Sequence, residues 1–266
     1  MEFKLGNLTI KHGSDFQLGP IEAWFENGRT NLVVGKSGCG KTTLLKTIAG
    51  FHKEYSGAMI FDNDYWNPEG NVALAFQNPE SLFFNSTVFE EISYSLKVSG
   101  VPRDVIASRT KAWMEKWGLN PEKYSDKYPF RLSGGEKRRV ALAACTIFEP
   151  KLILLDEPLA GLDNDGKSKL ADTIRSLSEK SVVIIVTHEP DILLDENAQV
   201  LYISKNKVFP LSAIEFVSQA MHLRDFYPLP EWYVKAVEPY MDYYPQLPMI
   251  NADSVLEYYE RINNNG

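Results

Sequence analysis

Residues 35–42, Gly35-Lys36-Ser37-Gly38-Cys39-Gly40-Lys41-Thr42, constrain this chain more than any other stretch. They follow a continuous apolar run at 30–34 of buried-strand type. They precede Thr43-Leu44-Leu45-Lys46-Thr47-Ile48-Ala49-Gly50, which reads as a helix. A strand, then GxxxxGK[ST], then a helix makes a cradle for phosphate. Glycines at 35, 38 and 40 let the loop wrap without Cβ clashes and turn backbone N–H groups inward. The helix that begins there adds free N–H groups and the positive end of its dipole. Lys41 is in reach of the β- and γ-phosphates of a nucleotide, and the Thr42 hydroxyl is placed to ligate Mg²⁺. Cys39 reads as a small loop residue that presents backbone, not as a nucleophile.

A second strand carries carboxylates. Residues 151–155 (KLILL) lead into Asp156-Glu157-Pro158. A buried parallel strand delivers the residues at its carboxyl end to the crevice where α/β sheets bind nucleotides. Asp156 is placed to hold Mg²⁺, directly or through water, and Glu157 to orient or deprotonate a water that attacks the γ-phosphate. Near the N-terminus, residues 2–5 and 8–11 read as short strands on either side of Gly6-Asn7.

Composition sets the outer bounds. The 266 residues are 44% hydrophobic and 24% charged, a globular balance that excludes disorder as the main state. The apolar runs fall far short of the ~20 residues that cross a bilayer, and the first residues do not read as a secretory signal. Two cysteines, Cys39 and Cys145, point to a reducing compartment. A net charge of −7 argues against a nucleic-acid partner. Together these lead to the expectation of a soluble, cytosolic chain.

Four further stretches carry a family resemblance. Leu132-Ser133-Gly134-Gly135-Glu136 resembles the signature motif of ATP-binding-cassette ATPases, and Gln77 in Ala75-Phe76-Gln77-Asn78-Pro79 is similar to their Q-loop. Leu159-Ala160-Gly161-Leu162-Asp163 resembles the D-loop, and His188 resembles the switch histidine. The resemblance implies an α/β P-loop NTPase with a RecA-like core, an antiparallel β subdomain, an α-helical signature subdomain near 84–135 and a small C-terminal extension. It implies ATP and Mg²⁺ as cofactors. Residues 35–43 with Gln77 and His12 would bind ATP, and Thr42, Gln77 and Asp156 would hold the metal. Glu157, His188 and Lys41 would act in hydrolysis. Ser133, Gly134, Gly135 and Glu136 would meet ATP held by a partner ATPase in a head-to-tail dimer, with Asp163 pairing across that interface. His12 or Phe16 lies where the family sets a ring against adenine, and distance to the loop favours His12. Glu136 stands where many members have Gln, and the neighbouring Lys137, Arg138 and Arg139 are expected to offset its charge.

The 55 residues between Gln77 and Ser133, mostly helical from 88 to 117, suit a transporter ATPase and leave no room for a long coiled coil. Gln77-Asn78-Pro79 through Thr87-Val88 is similar to the pattern of energy-coupling-factor importers. Those importers take up vitamins or transition-metal ions and pair two ATPases, identical or homologous, with an integral membrane coupling protein and a substrate-binding membrane protein. The implied location is the cytoplasmic face of the cell membrane. Phe83 and Phe84 would border a groove for a coupling helix. Composition shifts at 209–210: residues 211–266 hold eight acidic and three basic residues and 10 of the chain's 32 aromatics. That divides the chain into an ATPase domain, 1–209, and an extension, 210–266, expected to contact the second ATPase.

Overall fold

β1 (Glu2–His12) and β2 (Phe16–Glu26) pair antiparallel, and alternate residues face inward: Phe3, Leu5, Leu8 and Ile10 from one, Leu18, Ile21, Ala23 and Phe25 from the other. The two short strands expected at 2–5 and 8–11 are thus one. Asn7, at φ 49°, absorbs the turn signal as a local irregularity inside the strand. The computed structural model describes residues 1–13 and 16–222, with Leu229, Pro230 and Tyr233.

β3 (Asn31–Gly35) is buried at every residue and leads through the glycine loop into α1 (Lys41–Ile48). Its first side chain, Asn31, donates to the carbonyls of Glu26 at 2.9 Å and Val183 at 3.0 Å, so a fully buried amide is satisfied. β4 (Tyr55–Phe61) and β5 (Asp64–Tyr65) return to the first sheet, ordered β2-β1-β4-β5. After β6 (Val72–Ala75) the chain leaves for a helical insertion of α2 (Val88–Val98), α3 (Arg103–Lys116), α4 (Pro121–Tyr124) and α5 (Gly134–Thr146). The helical run expected over 88–117 breaks once, where Gly100 takes φ 74° and Pro102 opens α3.

β7 (Leu152–Asp156), α6 (Asn164–Ser178), β8 (Val182–Val186), β9 (Gln199–Ser204), β10 (Lys207–Ser212) and α7 (Ala213–His222) complete the described chain. The second sheet runs β10-β9-β3-β8-β7-β6, parallel except for β10. Its central strands carry apolar residues without alternation because both faces are covered. On one face Val33, Leu154 and Val186 pack with the antiparallel sheet and with Leu44 and Ile48 of α1. On the other, Leu32, Leu155 and Ile185 pack with Ile92, Trp117, Leu142 and Ile174 of the helical layer. Each large apolar side chain so buried contributes about 1.5–3 kcal/mol.

The composition shift at 209–210 falls inside β10, so a boundary there would cut a strand. Ala213, Phe216 and Val217 of α7, with Leu229 and Tyr233, belong to the helical-side core. The start of the extension is therefore part of the main body. The rest of 210–266, and with it the expected ATPase contact, lies outside the described residues.

Candidate nucleotide site

The parallel register brings Gly35, Asp156 and Val186 to one rim, and the segments leaving that rim carry the expected chemistry. A cleft of about 400 Å³ opens there, lined by Ser37, Gly38, Gly40, Lys41, Thr42, Thr43, Gln77, Asp156, Glu157 and His188, with His12 and Phe16 at one side. Both candidate adenine platforms therefore border the same cleft. The His12 ring lies 5.6 Å from that of His52, whose Nε2 is 2.7 Å from the Lys11 carbonyl oxygen.

The loop is built as the glycine spacing requires. Gly38 and Gly40 take φ 79° and 103°, and a Cβ on Gly40 would stand 2.6 Å from Phe16 Cζ. Gly40→Ala is expected to cost about 1–2 kcal/mol for the left-handed backbone alone. The melting temperature of the nucleotide-free chain should fall accordingly, and an unchanged one would contradict this account of the loop. Lys41 is buried, and its Nζ donates to the carbonyls of Gly35 at 2.7 Å and Lys36 at 3.1 Å. The cation thus ties together the first two residues of its own loop. Cys39 lies against Gly35, and burial pushes its thiol up from the ordinary value, in keeping with a packing role.

Thr42 Oγ1 donates to Asp156 Oδ2 at 2.7 Å, which joins the cradle to the end of β7. Glu157 adopts φ 52°, unusual for a residue with a side chain and characteristic of functional turns. Its Oε2 accepts the His188 backbone N–H at 3.1 Å, and His188 Nε2 approaches Oε1 at 3.2 Å. Burial raises the Glu157 carboxyl above the ordinary range, while the His188 N–H and Lys41 pull it down. Burial, helped by Lys41, lowers His188. The result is a half-buried carboxylate beside an imidazole held toward its neutral form.

The signature residues are elsewhere. Ser133, Gly135, Glu136 and Asp163 line a separate hollow of about 910 Å³ with Arg139, Gly161 and Leu162, and Gly134 opens α5 beside it. None of them lines the nucleotide cleft of the same chain. Ser133 caps α5, and Asp163 caps α6 by accepting the Gly166 N–H at 2.8 Å. Glu136 completes a capping box: its Oε2 accepts from Ser133 N and Oγ, each at 2.9 Å, and its Oε1 accepts the Tyr124 hydroxyl at 2.6 Å. These bonds, Tyr124 first, hold its carboxyl at about 2.

The expected offset of Glu136 by Lys137, Arg138 and Arg139 is corrected for Arg138. That side chain turns inward and donates to the carbonyls of Gln77 and Ala160. Phe83 and Phe84 also separate: Phe83 is buried against Phe130, while Phe84 is exposed and meets Tyr94 edge-on. An apolar groove runs between Phe51, Pro68, Phe76 and Leu82, none of which the sequence reading singled out. Phe51, directly after Gly50 in the turn that follows α1, is exposed there, and an aromatic in that turn was the available sequence signal.

The profile described as "ABC transporter" matches residues 18–160. The chain is 36% identical over 197 residues to the energy-coupling factor transporter ATP-binding protein EcfA2 of Thermotoga maritima, covering 72% of this chain and 74% of that one. It is 35% identical over 224 residues to EcfA1 of the same organism, covering 82% and 85%. Among solved structures, cbiO1 from Clostridium perfringens, described as part of the ABC transporter complex cbiONQ, superposes with a TM-score of 0.70 at 29% identity. That match covers 78% of this chain and 86% of cbiO1. Fold, cleft and relatives agree: the chain belongs to the ATP-binding, ATP-hydrolysing subunits of the ABC transporter family.

Proposed function

We propose that this chain powers an energy-coupling factor importer as one half of a head-to-tail ATPase pair at the cytoplasmic face of the cell membrane. The cargo class is a vitamin or a transition-metal ion. The observation that carries the pairing is the division of the site. The phosphate cradle with Glu157 opens on one cleft, and Ser133 with Asp163 opens on another hollow. A nucleotide in one cleft is then covered by the signature surface of a second chain, identical or homologous.

The residues present fit Mg²⁺. Thr42 and Asp156 offer hard oxygens already joined at 2.7 Å, and Gln77 stands on the same cleft. Mg²⁺ bound by them would neutralise phosphate charge. Lys41 holds the β- and γ-phosphates, and loop N–H groups hold their remaining oxygens. Glu157 accepts a proton from the water that attacks the γ-phosphate, while His188 fixes the carboxylate through its main-chain N–H. Phosphoryl transfer to water is chiefly positioning and electrostatics, so these contacts carry the chemistry.

The membrane partners are an integral coupling protein and a substrate-binding protein, with no nucleic acid. Similarity to the Thermotoga EcfA1 and EcfA2 proteins and to cbiO1 supports this assignment. No helix among the described residues is long and apolar enough to cross a membrane. The groove beside Phe51 and Leu82, together with the exposed Phe84 two residues further along the chain, is the docking place assigned to the coupling protein. Leu82→Asp with Phe84→Asp should release the membrane proteins and leave ATP binding within twofold of wild type, since both side chains are exposed. Retained assembly in a pull-down would sink the groove assignment.

The test of the whole reading is to tag the chain, extract membranes with mild detergent and identify co-purifying proteins by mass spectrometry. Two integral membrane proteins, with or without a sibling ATPase, support it. Soluble partners alone would remove import as the purpose.

A further inference from the structure

Arg138 is 6% exposed, and its guanidinium ends on two backbone carbonyls from different segments. Nη1 donates to Gln77 O at 2.5 Å and Nη2 to Ala160 O at 3.2 Å. Removing a guanidinium from water is costly unless strong acceptors replace the solvent. Here the acceptors are main-chain, so the contacts read backbone position. Burial lowers the Arg138 pKa, and the carboxylates of Glu80 and Glu157 act against that shift.

The two carbonyls are well placed to matter. Gln77 lies on the nucleotide cleft, one residue from the groove-lining Phe76. Ala160 sits midway between Glu157 and Asp163, and its N–H donates to the Glu157 carbonyl at 3.3 Å. Glu157 holds a left-handed backbone that persists only where its surroundings over-determine it. One planar side chain on α5 thus touches the turn that carries the water-activating carboxylate and the segment leading to the groove. Lys has no fork to bridge both carbonyls at once.

We propose that Arg138 is a positioning residue: it clamps the Gln77 segment to the Glu157–Asp163 turn, so that a shift at the apolar groove reaches the carboxylate as one movement. The proposal rests on the reading of Gln77 and Glu157 as nucleotide-site residues. The effect is on turnover and not on ATP affinity, because Arg138 does not line the cleft.

The experiment compares wild type, Arg138→Gln, Arg138→Lys and Glu157→Gln in the full complex, with kcat expressed per bound nucleotide. Arg138→Gln should lower kcat tenfold or more with KM for ATP within threefold, and Arg138→Lys should recover part of the loss. A purely structural role would reduce the amount of nucleotide-binding protein without changing the rate per bound nucleotide, and that result overturns the clamp. Normal turnover by Glu157→Gln would instead overturn the underlying site reading, and the proposal with it. Should Arg138→Gln not fold, hydrogen exchange on Arg138→Lys decides. Faster exchange in both 76–83 and 157–163, with α1 unchanged, supports the clamp, and wild-type exchange in either segment overturns it.

Discussion

Glu157→Gln should reduce ATP turnover by about 10²–10⁴-fold, the usual contribution of a positioned general base, and leave ATP binding near the wild-type level. The substitution is nearly isosteric. An amide oxygen can still accept the His188 backbone N–H now bonded at 3.1 Å, so the turn at φ 52° keeps its partner. What disappears is the ability to take a proton. ATPase assays with parallel nucleotide titrations check both halves, and a variant that hydrolyses ATP at the normal rate would remove Glu157 from the reaction. The same carboxyl sets a pH dependence. Burial raises its pKa above the reference of 4.5, so the proton-accepting form is lost as pH falls through that raised value. The acid limb of kcat should therefore lie at higher pH than an ordinary carboxylate would give.

Lys41→Ala should act on binding. The Nζ donates to Gly35 O at 2.7 Å and Lys36 O at 3.1 Å, so the ammonium sits inside the loop that receives phosphate. A hydrogen bond to a charged group contributes about 1.5–3 kcal/mol. Loss of one such contact to phosphate weakens ATP binding about 10–150-fold. Loop order falls as well, because the two carbonyls lose their common donor. Titration with ATP by calorimetry measures the effect. Affinity within twofold of wild type would mean that backbone N–H groups alone hold the phosphates.

Legibility followed the range of the interaction. The cradle, the Asp156-Glu157 strand end and the separate signature helix were readable because each is a local pattern whose chemistry depends on fixed spacing. Arg138 was not, since three consecutive basic residues next to Glu136 read as an offset for its charge. Its spacing to Ala141, Leu142 and Cys145, at +3, +4 and +7, follows one helix face and was the available signal. The Tyr124 hydroxyl on Glu136 joins α4 to α5, a tertiary contact that no local pattern encodes. Phe83 and Phe84 looked equivalent. The backbone at Phe83 is extended (φ −61°, ψ 134°), so neighbouring side chains diverge, one into the core and one to solvent. The break expected at 209–210 followed charge and aromatic content, whereas the strand there is fixed by pairing with β9.

The strand order also sets when the cleft can exist. β3, which carries the glycine loop, has only β8 and β9 as neighbours in its sheet, and they begin at residues 182 and 199. Closing such a distant pairing is slow and must wait for the chain to be made. A nascent polypeptide that has emerged only through β7 holds its phosphate loop on a strand with no partner. ATP capture therefore waits until β8 and β9 have emerged, and nucleotide occupancy becomes a mark that synthesis has passed residue 204.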